Sequence, residues 1–538
     1  MQHHDHQHDH DQHDHDHHAH MTTMTQESGD SFAREVAGLP AALAPEVVTL
    51  RDSGEFALTA RPVSKRIGDT TVRMLGYNGS IPGPTLRVTQ GSQVTMNFTN
   101  ETDLETTVHW HGLRLDNEFD GVPHGHPHHG MQAPIPTGGS FSYKVRFPDP
   151  GVYWYHPHIR EDYAQEMGLY GAIVVAPRDP GYWSPVNREL AITLDDILIE
   201  DGDVAPYSRS ESNRTAMGRF GNVMLVNGET EYTCDAHRGE VVRLYLINTA
   251  NVRIFNVRIP GARMKLVGRD HGRVEHEQFI EEMLIAPSER LVIEVLFEQA
   301  GEFTLEHRTP ERTYQLGTIR VGERAVEQSC AREFSTLRRS EELAAERARI
   351  EADFERPADK TLALVGEMPG MSHHHHHGHD HHEMHGNMSS NMHGDHEMHA
   401  GADEGSIEWE DTMAEMNAMS TPENMIWKLI DRATGGANHD IWWSFTAGER
   451  VKVRIVNEPD SDHPMQHPIH FHGQRFLVLN RDGVRNPNLT WKDTELVEAG
   501  QTTELLVEMS NPGIWMSHCH IAEHLEGGMM FSFVVEAQ

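Results

Sequence analysis

Cysteine is scarce: Cys234, Cys330 and Cys519 are the only three in 538 residues, too few for a disulfide framework and silent on redox compartment. Long apolar runs are missing too. No stretch of about 18 apolar residues occurs, which excludes a membrane-spanning helix, and the first thirty residues lack the apolar stretch of a signal peptide. Positive charge is short as well. The 45 Lys+Arg against 82 Asp+Glu leave a formal charge of −37, which repels nucleic acid and anionic membranes and favours cations or metals as partners.

What is present is length and pattern. A chain of this size exceeds one ordinary core and predicts about three domains. Two segments cannot build a core. Ten of the first twenty residues are His, with Asp and Gln between them, and from about Met368 to Met419 the run His373–His377 and further histidines interleave with Met371, Met384, Met388, Met392 and Met398. Both are expected to be disordered without metal. Ala331–Arg356, rich in Ala, Glu, Arg and Leu, predicts a helical connector. Elsewhere short runs of Val, Ile, Phe and Tyr bounded by Gly, Pro and Asn predict an all-β fold. Gly91, Gly239 and Gly448 each open an alternating apolar run closing at Asn97, Asn248 and Asn457. Gly151, Gly301 and Gly513 open a second triplet, so three β-sandwich domains of one kind are expected. The division is a His/Asp-rich tail at 1–45, domains at 46–185 and 186–330, a linker at 331–356, and a third domain at 357–538 carrying the insertion 368–419.

The second triplet leads into different residues in each copy. The first continues to His156-Pro157-His158 and the third to His518-Cys519-His520, whereas the middle copy reaches only Glu306-His307-Arg308. The same two copies carry His109-Trp110-His111-Gly112 and His470-Phe471-His472-Gly473. Period-two spacing on a strand puts both histidines of a pair on one face. Imidazole alone does not name the metal, but Cys519 narrows it. With His467 upstream and His524 and Met529 downstream it supplies two imidazoles, a thiolate and a thioether, the ligand set of a blue electron-transfer copper.

These four motifs, HWHG, HPH, HPIHFHG and HCHIAEHLEGGM, resemble the copper signatures of the three-domain multicopper oxidases, the laccases and bacterial cuprous oxidases. The resemblance spans about residues 50 to 538 apart from the insertion. It implies three cupredoxin-like Greek-key sandwiches and four copper ions. His467, Cys519, His524 and Met529 would hold type 1 copper and His109 and His470 type 2. His111, His156 and His520 would hold one type 3 copper, and His158, His472 and His518 the other. It further implies single-electron oxidation of Cu(I), phenols or aromatic amines coupled to four-electron reduction of O2 to water, with Asp120 supplying protons. Where many bacterial relatives have Glu after the type 1 histidine, this chain has Leu525. A non-catalytic copper-binding protein is the alternative. A periplasmic or extracellular place is implied by the resemblance alone.

Other residues carry weaker readings. His124, His126, His128 and His129 read as a solvated loop, His463 as an ordinary residue outside the motif, and the Trp442-Trp443 and Tyr153-Trp154-Tyr155 clusters as core. The His/Met-rich insertion reads as metal-handling, for copper or other ions, with a plain spacer as the alternative.

Overall fold

The computed structural model describes residues 31–123, 132–369 and 406–538. Among them, six sheets of four or more strands occur as three successive pairs. The fold is all-β: three cupredoxin-like sandwiches in series. Apolar alternation fills each one, Leu58, Val94, Phe98 and Tyr143 in the first, Leu244, Leu246, Ile293 and Val295 in the second, Val453, Ile455, Leu505 and Phe533 in the third. No helix among the described residues is long and apolar enough to cross a membrane.

The same wiring occurs three times. Strands Gln93–Asn100, Glu240–Asn248 and Arg450–Asn457 each pair in parallel with an earlier strand and antiparallel with a later one. Each closes on an asparagine whose Nδ2 donates to two backbone carbonyls: Asn100 to Leu104 and Ile135, Asn248 to Arg253 and Ile285, Asn457 to Met465 and Val497. The first run therefore closes at Asn100, not Asn97. Asn97 lies three residues earlier on the strand and bonds the side chains of Glu55 and Ser142.

Two expected boundaries move. Residues 31–45, assigned above to the tail, are folded onto the first sandwich. Phe32 is buried and stacks on Tyr163 at 3.6 Å, with the guanidiniums of Arg160 and Arg209 over its ring. The insertion shrinks at its C-terminal side, because residues 406–419 are packed rather than disordered. Ile407 and Trp409 join a cluster with Ile254, Ala286 and Leu496, and a short helix, Ala414–Ala418, carries the fully buried Asn417. The apolar and aromatic side chains of this stretch set it apart from the histidine run before it. Met371 to Met398 and His373–His377 lie outside the described residues, as do the N-terminal histidines and His124, His126, His128 and His129.

The connector is helical, at Ala331–Phe334 and Glu341–Arg349, with the Ser340 side chain accepting from Leu343 N at the N-cap. Leu343, Ile350 and Phe354 then pack on Leu477, Leu489 and Leu506 of the third sandwich. That sandwich begins with Lys360–Glu367, which lies between Ile426–Asp431 on one side and Arg450–Asn457 on the other.

Candidate metal centre

Strand register assembles the histidines. His109 sits opposite His156, and His470 opposite His518, in antiparallel pairs. Because side chains alternate, each His-x-His strand turns both imidazoles to one face. The first and third sandwiches bring those faces together, and eight buried imidazoles meet between them. His111, His156 and His520 form one group, His158, His472 and His518 a second, and His109 and His470 lie together beside His111. Ring nitrogens approach closely: His472 Nε2 is 3.0 Å from His518 Nε2 and 3.4 Å from His158 Nε2. At the corresponding place in the middle sandwich stands the single His307, whose Nδ1 accepts from Asn256 N.

A second group forms on the other side of the same strand. Cys519 Sγ lies 3.4 Å from His467 Nδ1 and 3.7 Å from His524 Nδ1. Met529 is fully buried in the same core, with its backbone bonded to Cys519 and His524. Cys519 thus faces one group while its chain neighbours His518 and His520 face the other.

The chemistry of these atoms fits metal. Nε2 of His109, His156 and His470, each facing the centre, is buried with no hydrogen-bond partner, which a native fold rarely tolerates without a ligand. Burial and, after it, neighbouring imidazoles push His156, His158, His472, His520 and His524 far below their ordinary range. Burial takes His467 to about 3. These rings are neutral, with lone pairs free. Burial pushes the Cys519 thiol up, so its thiolate form needs a cation beside it.

Asp120 accepts from His472 Nδ1 at 2.8 Å through Oδ2, and its backbone carbonyl accepts from His109 Nδ1 at 2.7 Å. Its other carboxylate oxygen makes no hydrogen bond and lies 3.4 Å from His109 Nδ1. The carboxylate is therefore set between a histidine of each sandwich. Leu525 packs with Val122, Met516 and Met530.

Several residues were not legible as part of the site. Glu161, three residues after His158, lies 3.3 Å from its Nδ1 and is fully buried. The Trp427 ring lies tilted 4.3 Å from the His524 ring and edge-on 4.8 Å from that of His467. His463, read as ordinary, has Nε2 3.0 Å from Met217 Sδ and its ring 5.9 Å from Trp427. Met217 belongs to a loop that closes over His467 and His524. Trp427 Nε1 donates to Thr215 O, Met217 N to Asn417 Oδ1, and Asn417 Nδ2 to Gly218 O. Trp154 stacks on His156 at 4.1 Å, so it lines the centre as well as filling the core. Trp443 is core, but Trp442, one alternation away, is exposed.

Two buried histidine groups joined through one cysteine define a redox metalloprotein on a cupredoxin-like scaffold. Comparison with known sequences agrees. Three family models, each described as multicopper oxidase, match residues 60–180, 188–324 and 408–538. The chain belongs to the multicopper oxidase family. It is 25% identical to multicopper oxidase MmcO of Mycobacterium tuberculosis over 92% of this chain and 90% of that one. It is 24% identical to copper resistance protein A of Escherichia coli over 87% and 92%. The crystal structure of a multi-copper oxidase from Pseudomonas thermotolerans superposes with a TM-score of 0.64 at 25% identity, covering 91% of this chain and all of that one.

Proposed function

We propose that this oxidase holds four copper ions. His467, Cys519, His524 and Met529 hold the type 1 ion, and His109 and His470 the type 2 ion. His111, His156 and His520 hold one type 3 ion, and His158, His472 and His518 the other. The observation that carries the reading is the set of buried, unpartnered ring nitrogens facing one another beside a thiol with two imidazoles. Bound copper supplies one-electron redox steps, which reconcile donors that give electrons singly with dioxygen, which needs four to become water.

The chain's own groups do the rest. Cys519 offers a through-bond route along the backbone to His518 and His520. Asp120 holds His472 by Nδ1 and keeps a carboxylate beside His109, where protons are consumed. The cover of Met217, Trp427 and Asn417 leaves His524 without solvent contact, so a planar phenol cannot stack on it. A small soft ion can be held by thioether and imidazole in that cover, which supports Cu(I) as reductant over phenols or aromatic amines. The His/Met-rich segments would add copper or other ions upstream of it. An exported, periplasmic or extracellular place suits such a role.

The test is oxygen uptake by the copper-loaded protein with Cu(I) and with 2,6-dimethoxyphenol. Faster turnover of Cu(I) supports the reading, and faster turnover of the phenol moves the protein to the laccases. Copper binding without oxygen uptake with either donor leaves the non-catalytic alternative.

A further inference from the structure

Five of the eight histidines in the oxygen-site centre are turned the same way. Nδ1 of His109, His156, His470 and His518 bonds a backbone carbonyl and Nδ1 of His472 bonds Asp120, so each Nε2 points inward. His111 is reversed. Its Nε2 points outward to Asp493 Oδ1 at 2.9 Å and Thr494 Oγ1 at 3.1 Å, and its Nδ1 points inward, 3.2 Å from His520 Nε2.

The reversal depends on where Asp493 puts its carboxylate, and two residues of the second sandwich fix that. Arg290 donates from Nη1 to Oδ1 at 2.7 Å and from Nη2 to Oδ2, a two-pronged bond. His271 Nε2 lies 2.9 Å from Oδ2, and His271 Nδ1 is 3.2 Å from the Tyr153 hydroxyl. The Arg290, Asp493 and His271 side chains are fully buried. A separate feature points to the same pair. Gly112, the glycine after His111, has φ +85°, and a Cβ there would come 2.5 Å from Asp493 Oδ2 and 2.7 Å from Arg290 Nη2. The glycine of the His-Trp-His-Gly motif makes room for the clamp.

We propose that Arg290 and His271 are positioning residues for oxygen reduction: by clamping Asp493 they make His111 donate Nε2–H outward and present Nδ1 to the centre. The sandwich that carries no paired histidines thus sets the tautomer of a histidine belonging to the first, through an aspartate of the third. Without a fixed acceptor, His111 can place its proton on Nδ1 and close the lone pair that faces His520. Carboxylate partners of this kind orient metal-binding histidines, and their loss weakens metal binding by about 10- to 100-fold.

The inference rests on the copper assignment above, and the test separates the two. Full-length His271→Gln and Arg290→Lys proteins would be loaded with copper against a competing chelator. Copper per chain, the visible absorption of the Cys519 site and Tm would be recorded together. Arg290→Lys keeps the charge but loses the two-pronged geometry. Both variants should hold oxygen-site copper about 10- to 100-fold less tightly, with the Cys519 absorption and Tm close to those of the parent. Unchanged copper affinity in both, or equal loss at both sites, overturns the clamp. If Arg290→Lys does not fold, His271→Gln decides on the same criterion. A parent chain that takes no copper at the histidine centre overturns the oxidase reading itself.

Discussion

Met529 and Met530 are neighbours in the chain and face opposite sides of it: Met529 is buried in the core with Cys519, whereas Met530 packs with Val122, Met516 and Leu525. Only the first can be an axial thioether to the Cys519 site. Met529→Leu should keep the blue absorption and raise the reduction potential, because losing a donor weakens the more highly charged oxidised ion most. Met530→Leu should leave spectrum and potential unchanged, the swap being nearly volume-conserving. Redox titration of both variants checks this, and a shift confined to Met530→Leu would reverse the assignment.

Cys519→Ser should abolish the visible thiolate-to-copper absorption and turnover together, while the histidine groups still bind copper. Metal analysis alongside absorbance makes the comparison. A variant that stays blue would show that another thiol is the ligand.

Asp120→Asn keeps an acceptor for His472 Nδ1 but cannot carry a proton. Reduction of the blue site by substrate should be unchanged, and reoxidation by O2 should slow by about 100-fold or more. Stopped-flow traces separate the two phases. Slowed electron entry with normal reoxidation would remove Asp120 from proton supply.

The pH dependence of the copper-free protein follows from opposed groups. Buried imidazoles such as His158, His472, His518 and His520 titrate far below the ordinary 6.5. The unfolded chain then binds more protons below that pH, and stability falls as pH drops. Glu523 and Glu526, raised by burial from 4.5 to about 7, act in the opposite sense between those values. The two terms oppose each other from about pH 6.5 to 4.5, but four imidazoles outweigh two acids, so stability already falls there, gently. Below 4.5 the opposition ends, and Asp493 and Glu495, which their cationic neighbours hold low against the effect of burial, add to the loss. Denaturant melts of the apo protein should therefore show a shallow decline from pH 6.5 and a steeper one beneath 4.5. A decline of uniform slope from pH 6.5 would mean that the acids are not buried as described.

Removing residues 370–405 should leave fold and copper content intact, since loop-closure entropy changes slowly with length. If this stretch delivers Cu(I), kcat/KM for Cu(I) should fall selectively, and an unchanged value would make it a spacer. Extending the cut to 419 is different. It removes Asn417 and leaves Met217 N and Gly218 O buried without partners, at a cost of about 1–3 kcal/mol each. Asn417→Ala should reproduce part of that loss in thermal melts and give phenols freer access to His524.

The sequence was most readable where information is local. Two-residue spacing, a glycine turn and a cysteine between two histidines are visible in a window of a few residues, and they pointed to the histidines and the cysteine that lie together in the fold. The clamp on His111 was invisible for the opposite reason: Asp493 is 382 positions away in the chain, and no periodicity links His271 and Arg290 to either. Alternation fixes the strand but not its last residue, so the first run reads as closing at Asn97, three positions before the Asn100 that ends it. The 406–419 stretch was absorbed into a low-complexity segment on composition, although Ile407 and Trp409 already marked it as something that packs.

Strand Lys360–Glu367 has hydrogen-bonded neighbours on both edges, and both come after residue 405. A chain broken anywhere between 370 and 405 would therefore yield two pieces that complete each other, the first donating the missing strand to the third sandwich as a guest peptide would. Each piece would carry half of the histidine centre, four imidazoles apiece. Copper added to the separated halves would act as a rivet, making recovery of oxidase activity from two co-expressed fragments a direct readout of their assembly.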